Sequence, residues 1–553
     1  MQELGTVLSV DGLKVSFEGA KGLVAVNNIS FSIGKGKTLA IVGESGSGKS
    51  LTALALMGLL PTSAKVEGLI SLNGKQLADQ TDWQRVRGMD IGMIFQEPMS
   101  SLNPVMKIGK QLSEAISKHQ NVPAKQAKQK GVEWLGKVQL PFPEKIYERY
   151  PHQLSGGQKQ RVMIAIAMCN NPSLLIADEP TTALDVTVQQ EIVKLMRELQ
   201  REYGTAMLFI THDLGLAGNI ADEMLVVYKG EVIEYAATSE IINRPKDDYT
   251  KALLACRPSM QQKGKRLPIV SDFLGASNVD KPDTGIEYKS VVEDKVLLEV
   301  NDLKIWFTES RNFLGKATQY FKAVEDVSFT LKKGEVLGLL GESGCGKSTL
   351  GRSLMGLLPV HSGQILFKGE DLAHIANGEW GRIRRQIQMV FQDPYSSLDP
   401  RMTIGDMLME PMAIHNIVPK AELRNEAERL LDIVLLPKDS MKRYPHQFSG
   451  GQRQRIGIAR ALSLRPELLI CDESVSALDV SVQAQILNLL KDLQKEFQLS
   501  YLFISHDLSV VYYMSDRVMV MNAGRIVESG EAAQVLMQPQ NGYTRKLVDA
   551  VIK

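Results

Sequence analysis

Apolar positions fall along this chain in short solid runs and in helical stripes, and the two kinds alternate. TLAIVG, Thr38–Gly43, is a β-branched apolar run, and SLTALALMGLL after it is apolar at helical spacing until Pro61 stops it. SLLIADEP and ELLICDES each place a solid run directly before an acidic pair, and AMLFITHD and SYLFISHD place one before a histidine. QKQRVMIAIAM, Gln158–Met168, reads as an amphipathic helix. Solid runs of this length between helices predict strands buried on both faces of a parallel sheet, hence an α/β fold.

The pattern occurs twice. GESGSGKS at Gly43–Ser50 returns as GESGCGKS at Gly341–Ser348, FQEPMSSLNP as FQDPYSSLDP, YPHQLSGGQKQR as YPHQFSGGQRQR, and THDL as SHDL, always in the same order. Each copy closes on a similar tail, NRPKDDYTKALL or QPQNGYTRKLV. One domain present twice accounts for this register, over residues 1–257 and 296–553. Residues 258–295 are polar, carry Pro and Gly, and lack apolar periodicity, so they predict a linker. As a flexible coil of about 38 residues it would reach roughly 35 Å, enough for the two domains to meet face to face.

Composition narrows the function. The chain has 553 residues, 44% hydrophobic and 23% charged, as in a soluble globular protein. Lys+Arg 64 against Asp+Glu 63 gives no chain-wide basic field of the kind that attracts nucleic acid. Cys169, Cys256, Cys345 and Cys471 lie far apart without metal-type spacing, which suits a reduced, intracellular compartment and packing roles. The start, MQELGTVLSV, lacks a signal peptide's basic flank and unbroken apolar run, and no window approaches the ~20 apolar residues that cross a bilayer. A role at a membrane therefore requires a partner.

GxxxxGK[ST] between a strand and a helix is a phosphate cradle, because its glycines let backbone N–H groups turn towards phosphate oxygens at a helix N-terminus. The first copy comprises Gly43, Glu44, Ser45, Gly46, Ser47, Gly48, Lys49 and Ser50. The second comprises Gly341, Glu342, Ser343, Gly344, Cys345, Gly346, Lys347 and Ser348. Lys49 and Lys347 are expected to reach the β- and γ-phosphates, and Ser50 and Ser348 to ligate Mg²⁺. Asp178 and Asp472, at strand ends, are candidates for the Mg²⁺ shell; Glu179 and Glu473 are candidates to polarise the attacking water.

LSGGQ at Leu154–Gln158 and FSGGQ at Phe448–Gln452 resemble the signature of ATP-binding cassette ATPases, and the likeness covers nearly the whole chain outside the linker. Ser155-Gly156-Gly157 precedes a helix, so its amides and hydroxyl can face an anion. The resemblance implies two such ATPase domains, each a mixed, mainly parallel sheet core with an antiparallel β subdomain and a helical subdomain. It also implies head-to-tail pairing. Lys49, Ser50, Gln96, Asp178, Glu179 and His212 then face Ser449, Gly450, Gly451 and Gln452, while Lys347, Ser348, Gln392, Asp472, Glu473 and His506 face Ser155, Gly156, Gly157 and Gln158. In that family the histidines touch the γ-phosphate, and Gln96 and Gln392 sense Mg²⁺ and nucleotide. Phe17 in LKVSF and Phe307 in LKIWF resemble the aromatic position that stacks on adenine. Ser474 stands where the first copy has Pro180, and Cys345 where it has Ser47. Neither change removes a catalytic group, so two competent sites are expected.

EPMSSLNP, DPYSSLDP, YPHQ and the YT tails look like the peptide and nickel importer subfamily. Its ATPases work peripherally at the cytoplasmic face of the inner (plasma) membrane, under two transmembrane permease subunits that receive solute from an extracytoplasmic solute-binding protein. Some members bind an iron–sulfur cluster through four tail cysteines; only Cys256 lies in a tail here, so none is expected. The rival reading is a soluble tandem cassette acting on ribosomes or DNA. Those proteins carry charged helical linkers or zinc-type cysteine pairs, and neither occurs here.

Overall fold

The computed structural model describes residues 5–17, 23–78, 81–96, 101–182, 184–274, 288, 292–311, 317–376, 378–393, 395, 397–476 and 478–552. Each half is built on a six-stranded sheet. In the first, the spatial order is Glu231–Ala237, Glu223–Tyr228, Thr38–Val42, Ala206–Thr211, Leu174–Asp178 and Ile91–Ile94. All neighbours run parallel except the Glu231–Ala237 edge strand. The second half repeats the order with Arg525–Glu531, Arg517–Asn522, Val336–Leu340, Ser500–Ser505, Leu468–Asp472 and Ile387–Val390. Every residue of Thr38–Val42, Leu174–Asp178 and Ala206–Thr211 is buried, as solid apolar runs require when helices cover both faces.

A four-stranded antiparallel sheet stands beside each core, over Thr6–Phe17, Leu23–Gly34, Ala64–Leu72 and Lys75–Gln76 in the first half. Its amphipathic strands close over the helix Lys49–Leu56, burying Leu8, Val10, Leu13 and Val26 against Ala53 and Leu56. On the other side helices Ile108–Gln120, Ala124–Lys137 and Gly156–Met168 form a helical layer around Leu112, Ile116, Leu135 and Ile164. The mixed α/β class with antiparallel and helical subdomains is therefore the one observed, in both halves. No helix of the described residues is long and apolar enough to cross a membrane.

The connector departs from the flexible coil expected of it. Residues 258–274 contain the turns Met260–Gln262 and Val270–Phe273, and Leu267, Val270 and Phe273 are buried in the core cluster that holds Leu487, Leu490 and Tyr513 of the second half. Leu267 donates its N–H to Asn488 Oδ1 at 3.0 Å and accepts from Asn488 Nδ2 at 2.8 Å. Two backbone bonds and three buried apolar side chains are enough to order this segment on a helical surface. The stretch 275–287 lies outside the described residues.

Candidate active site

The strand Thr38–Val42 delivers Gly43 at the carboxyl edge of the sheet, and the chain then loops back into the helix Lys49–Leu56. Gly48 takes φ 98°, and a Cβ there would stand 2.7 Å from the carbonyl oxygen of Ala25. Gly346 repeats this at φ 107°, with Ala323 O at 2.3 Å. Only glycine fits so close to a neighbouring backbone. Lys49 is 5% exposed and donates from Nζ to Gly43 O and Glu44 O, both at 2.8 Å. Lys347 does the same with Gly341 O at 2.7 Å and Glu342 O at 2.9 Å. Burial lowers the pKa of Lys49, opposed by the carboxylates of Glu179, Asp479, Asp178 and Glu44. An ammonium held by two carbonyls in a buried loop is poised for an anion.

The acidic pairs meet these loops from the adjacent strand ends. Ser50 Oγ donates to Asp178 Oδ1 at 3.0 Å, and Ser348 Oγ to Asp472 Oδ1 at 2.8 Å. Burial raises both aspartates, Asp178 to about 6, which marks each as a buried oxygen cluster short of positive charge. A hydroxyl beside a carboxylate is a hard-oxygen pair that fits Mg²⁺ shared with phosphates and water.

Glu179 and Glu473 adopt φ 45° and 47°, left-handed backbone that non-glycine residues rarely take. The strain turns each carboxylate out of the sheet while its own N–H still extends the ladder, to Ile210 O and Ile504 O at 3.0 Å. Gln96 Nε2 lies 3.2 Å from Glu179 Oε2, Thr182 Oγ1 2.9 Å, and His212 Nδ1 3.3 Å. In the second half Gln392 Nε2 is 2.8 Å and His506 Nδ1 3.3 Å from Glu473 Oε2. Burial raises each glutamate's pKa, but the bond and charge of the histidine, together with the charge of the loop lysine, outweigh it and hold the carboxyl below its usual range. Burial lowers each histidine, and the glutamate more than offsets that. An ionised, oriented carboxylate beside a basic loop can take a proton from water.

The structure thus brings Lys49, Ser50, Gln96, Asp178, Glu179 and His212 together, and likewise Lys347, Ser348, Gln392, Asp472, Glu473 and His506. The signature residues open a helix in each half. Ser155 Oγ and Ser449 Oγ cap their own helices, accepting from the N–H groups of Gln158 and Gln452. Bonds that cross between halves at the loops come from the segments after the acidic pairs: Ser45 N–H donates to Asp479 Oδ2 at 2.9 Å, and Ser343 N–H to Asp185 Oδ1 at 2.8 Å. Sequence reasoning gave Asp185 and Asp479 no role; their recurrence after each acidic pair was the available signal. Between the halves lies a cavity of about 500 Å³, walled by Thr211, His212 and Asp213 on one side and Ser505, His506 and Asp507 on the other. Phe17 is half-buried against the core at the end of its strand, and Phe307 is 37% exposed.

Comparison with known proteins agrees in extent as well as in motif. The family model described as ABC transporter matches residues 26–182 and 324–476, and that described as oligopeptide/dipeptide transporter, C-terminal region, matches 233–285 and 527–553. The chain is 47% identical over 563 aligned positions to the glutathione import ATP-binding protein GsiA of Shigella boydii serotype 4, covering 99% of this chain and 90% of the relative. GsiA of Escherichia coli strain K12 is 46% identical over 560 positions with the same coverage. Among solved structures, cbiO1 of Clostridium perfringens, part of the ABC transporter complex cbiONQ, is 28% identical, with a TM-score of 0.39 over 44% of this chain and 92% of that one.

Proposed function

The chain belongs to the ABC transporter family, and from that premise we propose that it is the ATP-hydrolysing subunit of an importer for short peptide-like solutes, with both cassettes supplied by one polypeptide. The observation that carries this reading is the duplicated pocket, in which a buried lysine, a hydroxyl–carboxylate pair and an ionised glutamate held by histidine recur without loss.

In each half the loop amides and lysine hold the triphosphate. Ser50 with Asp178, and Ser348 with Asp472, would hold Mg²⁺, which would neutralise phosphate charge; Gln96 and Gln392 bond to the neighbouring glutamates. Glu179 or Glu473 takes a proton from the attacking water, whose oxygen joins the γ-phosphorus as the bond to ADP breaks. The neighbouring histidine orients the glutamate and meets the γ-phosphate. Ser449, Gly450, Gly451 and Gln452 complete the first site from the other half, and Ser155, Gly156, Gly157 and Gln158 the second. ATP favours the closed pair, and hydrolysis lets it reopen, so the work delivered to a partner is the difference in nucleotide affinity between the two states.

The partners on this reading are two transmembrane permease subunits and an extracytoplasmic solute-binding protein, with the chain peripheral at the cytoplasmic face of the inner membrane. The relatives' names favour glutathione-type tripeptides as solute, ahead of other short peptides and nickel. The ribosome or DNA reading is set aside, because relatives matching 99% of the chain are import proteins and both tails match a transporter region. The test is Glu179→Gln with Glu473→Gln, reconstituted with permease in vesicles. ATP binding should persist while hydrolysis and solute uptake stop; near-normal turnover would remove the general-base assignment.

A further inference from the structure

The YT tails are explained neither by the phosphate loops nor by the acidic pairs, yet each tail tyrosine reaches the back of a phosphate loop. Tyr249 is 1% exposed, and its phenol oxygen accepts the N–H of Glu44 at 3.2 Å. In the second half Tyr543 Oη accepts the N–H of Glu342 at 3.3 Å. The same glutamates are nodes of their loops. The carbonyl oxygen of Glu44 receives Lys49 Nζ at 2.8 Å and the N–H of Ser47 at 3.2 Å, and its carboxylate accepts the hydroxyl of Ser481 from the other half. The carbonyl oxygen of Glu342 receives Lys347 Nζ at 2.9 Å and the N–H of Cys345 at 3.3 Å, and its carboxylate accepts Thr187 Oγ1 at 3.1 Å.

The mounting of each tyrosine is also duplicated. Asp247 Oδ1 and Asn541 Oδ1 accept the N–H groups of Tyr249 and Tyr543 at 2.8 Å, fixing the start of the tail helices. Glu234 takes the N–H of Lys246 at 3.0 Å, and Glu528 that of Gln540 at 2.8 Å, pinning the preceding turns to the sheet edge. Tyr249 further packs on Tyr228 with ring centroids 4.3 Å apart. The second tail helix, Gly542–Ile552, runs on to lie against Val186–Tyr203 of the first half.

We infer that Tyr249 and Tyr543 are positioning residues for ATP: each phenol fixes the peptide plane that joins a loop glycine, Gly43 or Gly341, to the glutamate after it, and through that glycine's carbonyl the lysine that holds phosphate. A peptide plane has two hydrogen-bonding ends, so fixing its N–H fixes the direction of its C=O. The tail thereby sets the affinity of its own cassette's pocket. This rests on the reading of Lys49 and Lys347 as phosphate-holding groups.

The experiment compares Tyr249→Phe, Tyr543→Phe, Tyr249→Ala and the Lys49→Ala/Lys347→Ala pair in the full chain. Nucleotide occupancy of each half is read by azido-ATP photolabelling, followed by cleavage at a protease site engineered between residues 274 and 292. Phenylalanine keeps the ring and removes the acceptor, leaving a part-buried N–H to water instead of a fixed partner, so ATP affinity should fall about tenfold. Tyr249→Phe should weaken labelling of the first half only and Tyr543→Phe of the second only, with kcat at saturating ATP and the melting temperature near those of the parent. Tyr249→Ala should weaken ATP no more than Tyr249→Phe although it lowers the melting temperature. Phenylalanine variants that bind ATP as the parent does, that weaken both halves equally, or that bind far better than the alanine variant overturn the inference. If the lysine pair also binds ATP normally, the reading of the pocket fails with it; if the lysine pair loses ATP while the phenylalanine variants do not, only the tyrosine role fails.

Discussion

Behind the histidine of the second half, the helix Leu508–Met514 is covered by connector residues, whereas its counterpart in the first half, Leu214–Ile220, faces an open cleft of about 350 Å³. The cover is specific. Arg266 Nη1 pairs with Asp492 at 3.1 Å, Tyr288 donates to the same carboxylate at 2.8 Å, and Lys263 Nζ stands 4.7 Å over the ring of Tyr512. In the first half the matching helices present Lys194, Arg197, Arg201 and Asn219 to the cleft. Arg257 instead reaches the start of the histidine-led helix, 3.3 Å from Asp213 Oδ1 and so close to Gly215 that a Cβ there would stand 1.9 Å from its Nη1. Repeated residues give both halves one chemistry; the single connector then covers the histidine-led helix of the second half, while that of the first half is met by Arg257 at the end of its own domain.

The largest effect should come from the chemistry that the halves share. Glu179→Gln and Glu473→Gln made singly should each lower hydrolysis at the mutated site by about 10³-fold, within the range of a lost general base, and should remove that site's share of the total rate. Equal losses in steady-state ATPase assays support two equivalent sites, and a tenfold disparity breaks the equivalence.

The cover comes next. Leu267 is fully buried, so Leu267→Ala should cost about 3 kcal/mol. Hydrogen exchange should quicken in Leu508–Met514 and stay unchanged in Leu214–Ile220; matched changes in both helices would mean that the connector supports the halves alike.

A smaller effect belongs to one buried cation. Lys491 Nζ donates to Met514 O at 2.7 Å where the first half uses Arg197 to reach Asn219 O, also at 2.7 Å. Burial lowers Lys491 from 10.5 to about 8, opposed by Asp516. The unfolded chain therefore holds one more proton than the folded chain between those values, and stability rises with pH across that window. Lys491→Met should flatten the rise by roughly 2 kcal/mol in denaturant titrations at pH 8 and 10. Arg197→Met should leave it intact, because a guanidinium stays charged throughout.

The smallest effect tests the arginine. Gly215→Ala should displace Arg257 and cost about 1 kcal/mol, with a double-mutant cycle against Arg257→Ala showing coupling of that size in thermal melts. Additivity would mean that the two residues act independently.

Much of the molecule was legible because its signals are local. Solid runs at Thr38–Val42 and Leu174–Asp178 became fully buried strands, since period alone distinguishes a two-faced strand from an amphipathic helix. Lys49, Ser50, Asp178, Glu179 and His212 converge because the strands that precede them are neighbours in one parallel sheet and end at the same edge. The connector was not legible. Leu267, Val270 and Phe273 form too short a run among Lys, Arg, Pro and Asp to signal an element, and their burial depends on a groove that Asn488 and Tyr513 form far along the chain.

By itself the sequence determined the repeat, the sheet-edge chemistry of each copy and the family, because motif spacing and apolar period act over a few residues and survive without knowledge of neighbours. Only the tertiary structure decided which aspartate meets which loop, that the tail tyrosines stand behind the phosphate cradles, and that one histidine-led helix is covered while the other is open. Those contacts join residues from opposite ends of the chain, so their free energy resides in the docking of one surface on another and leaves no local pattern to read.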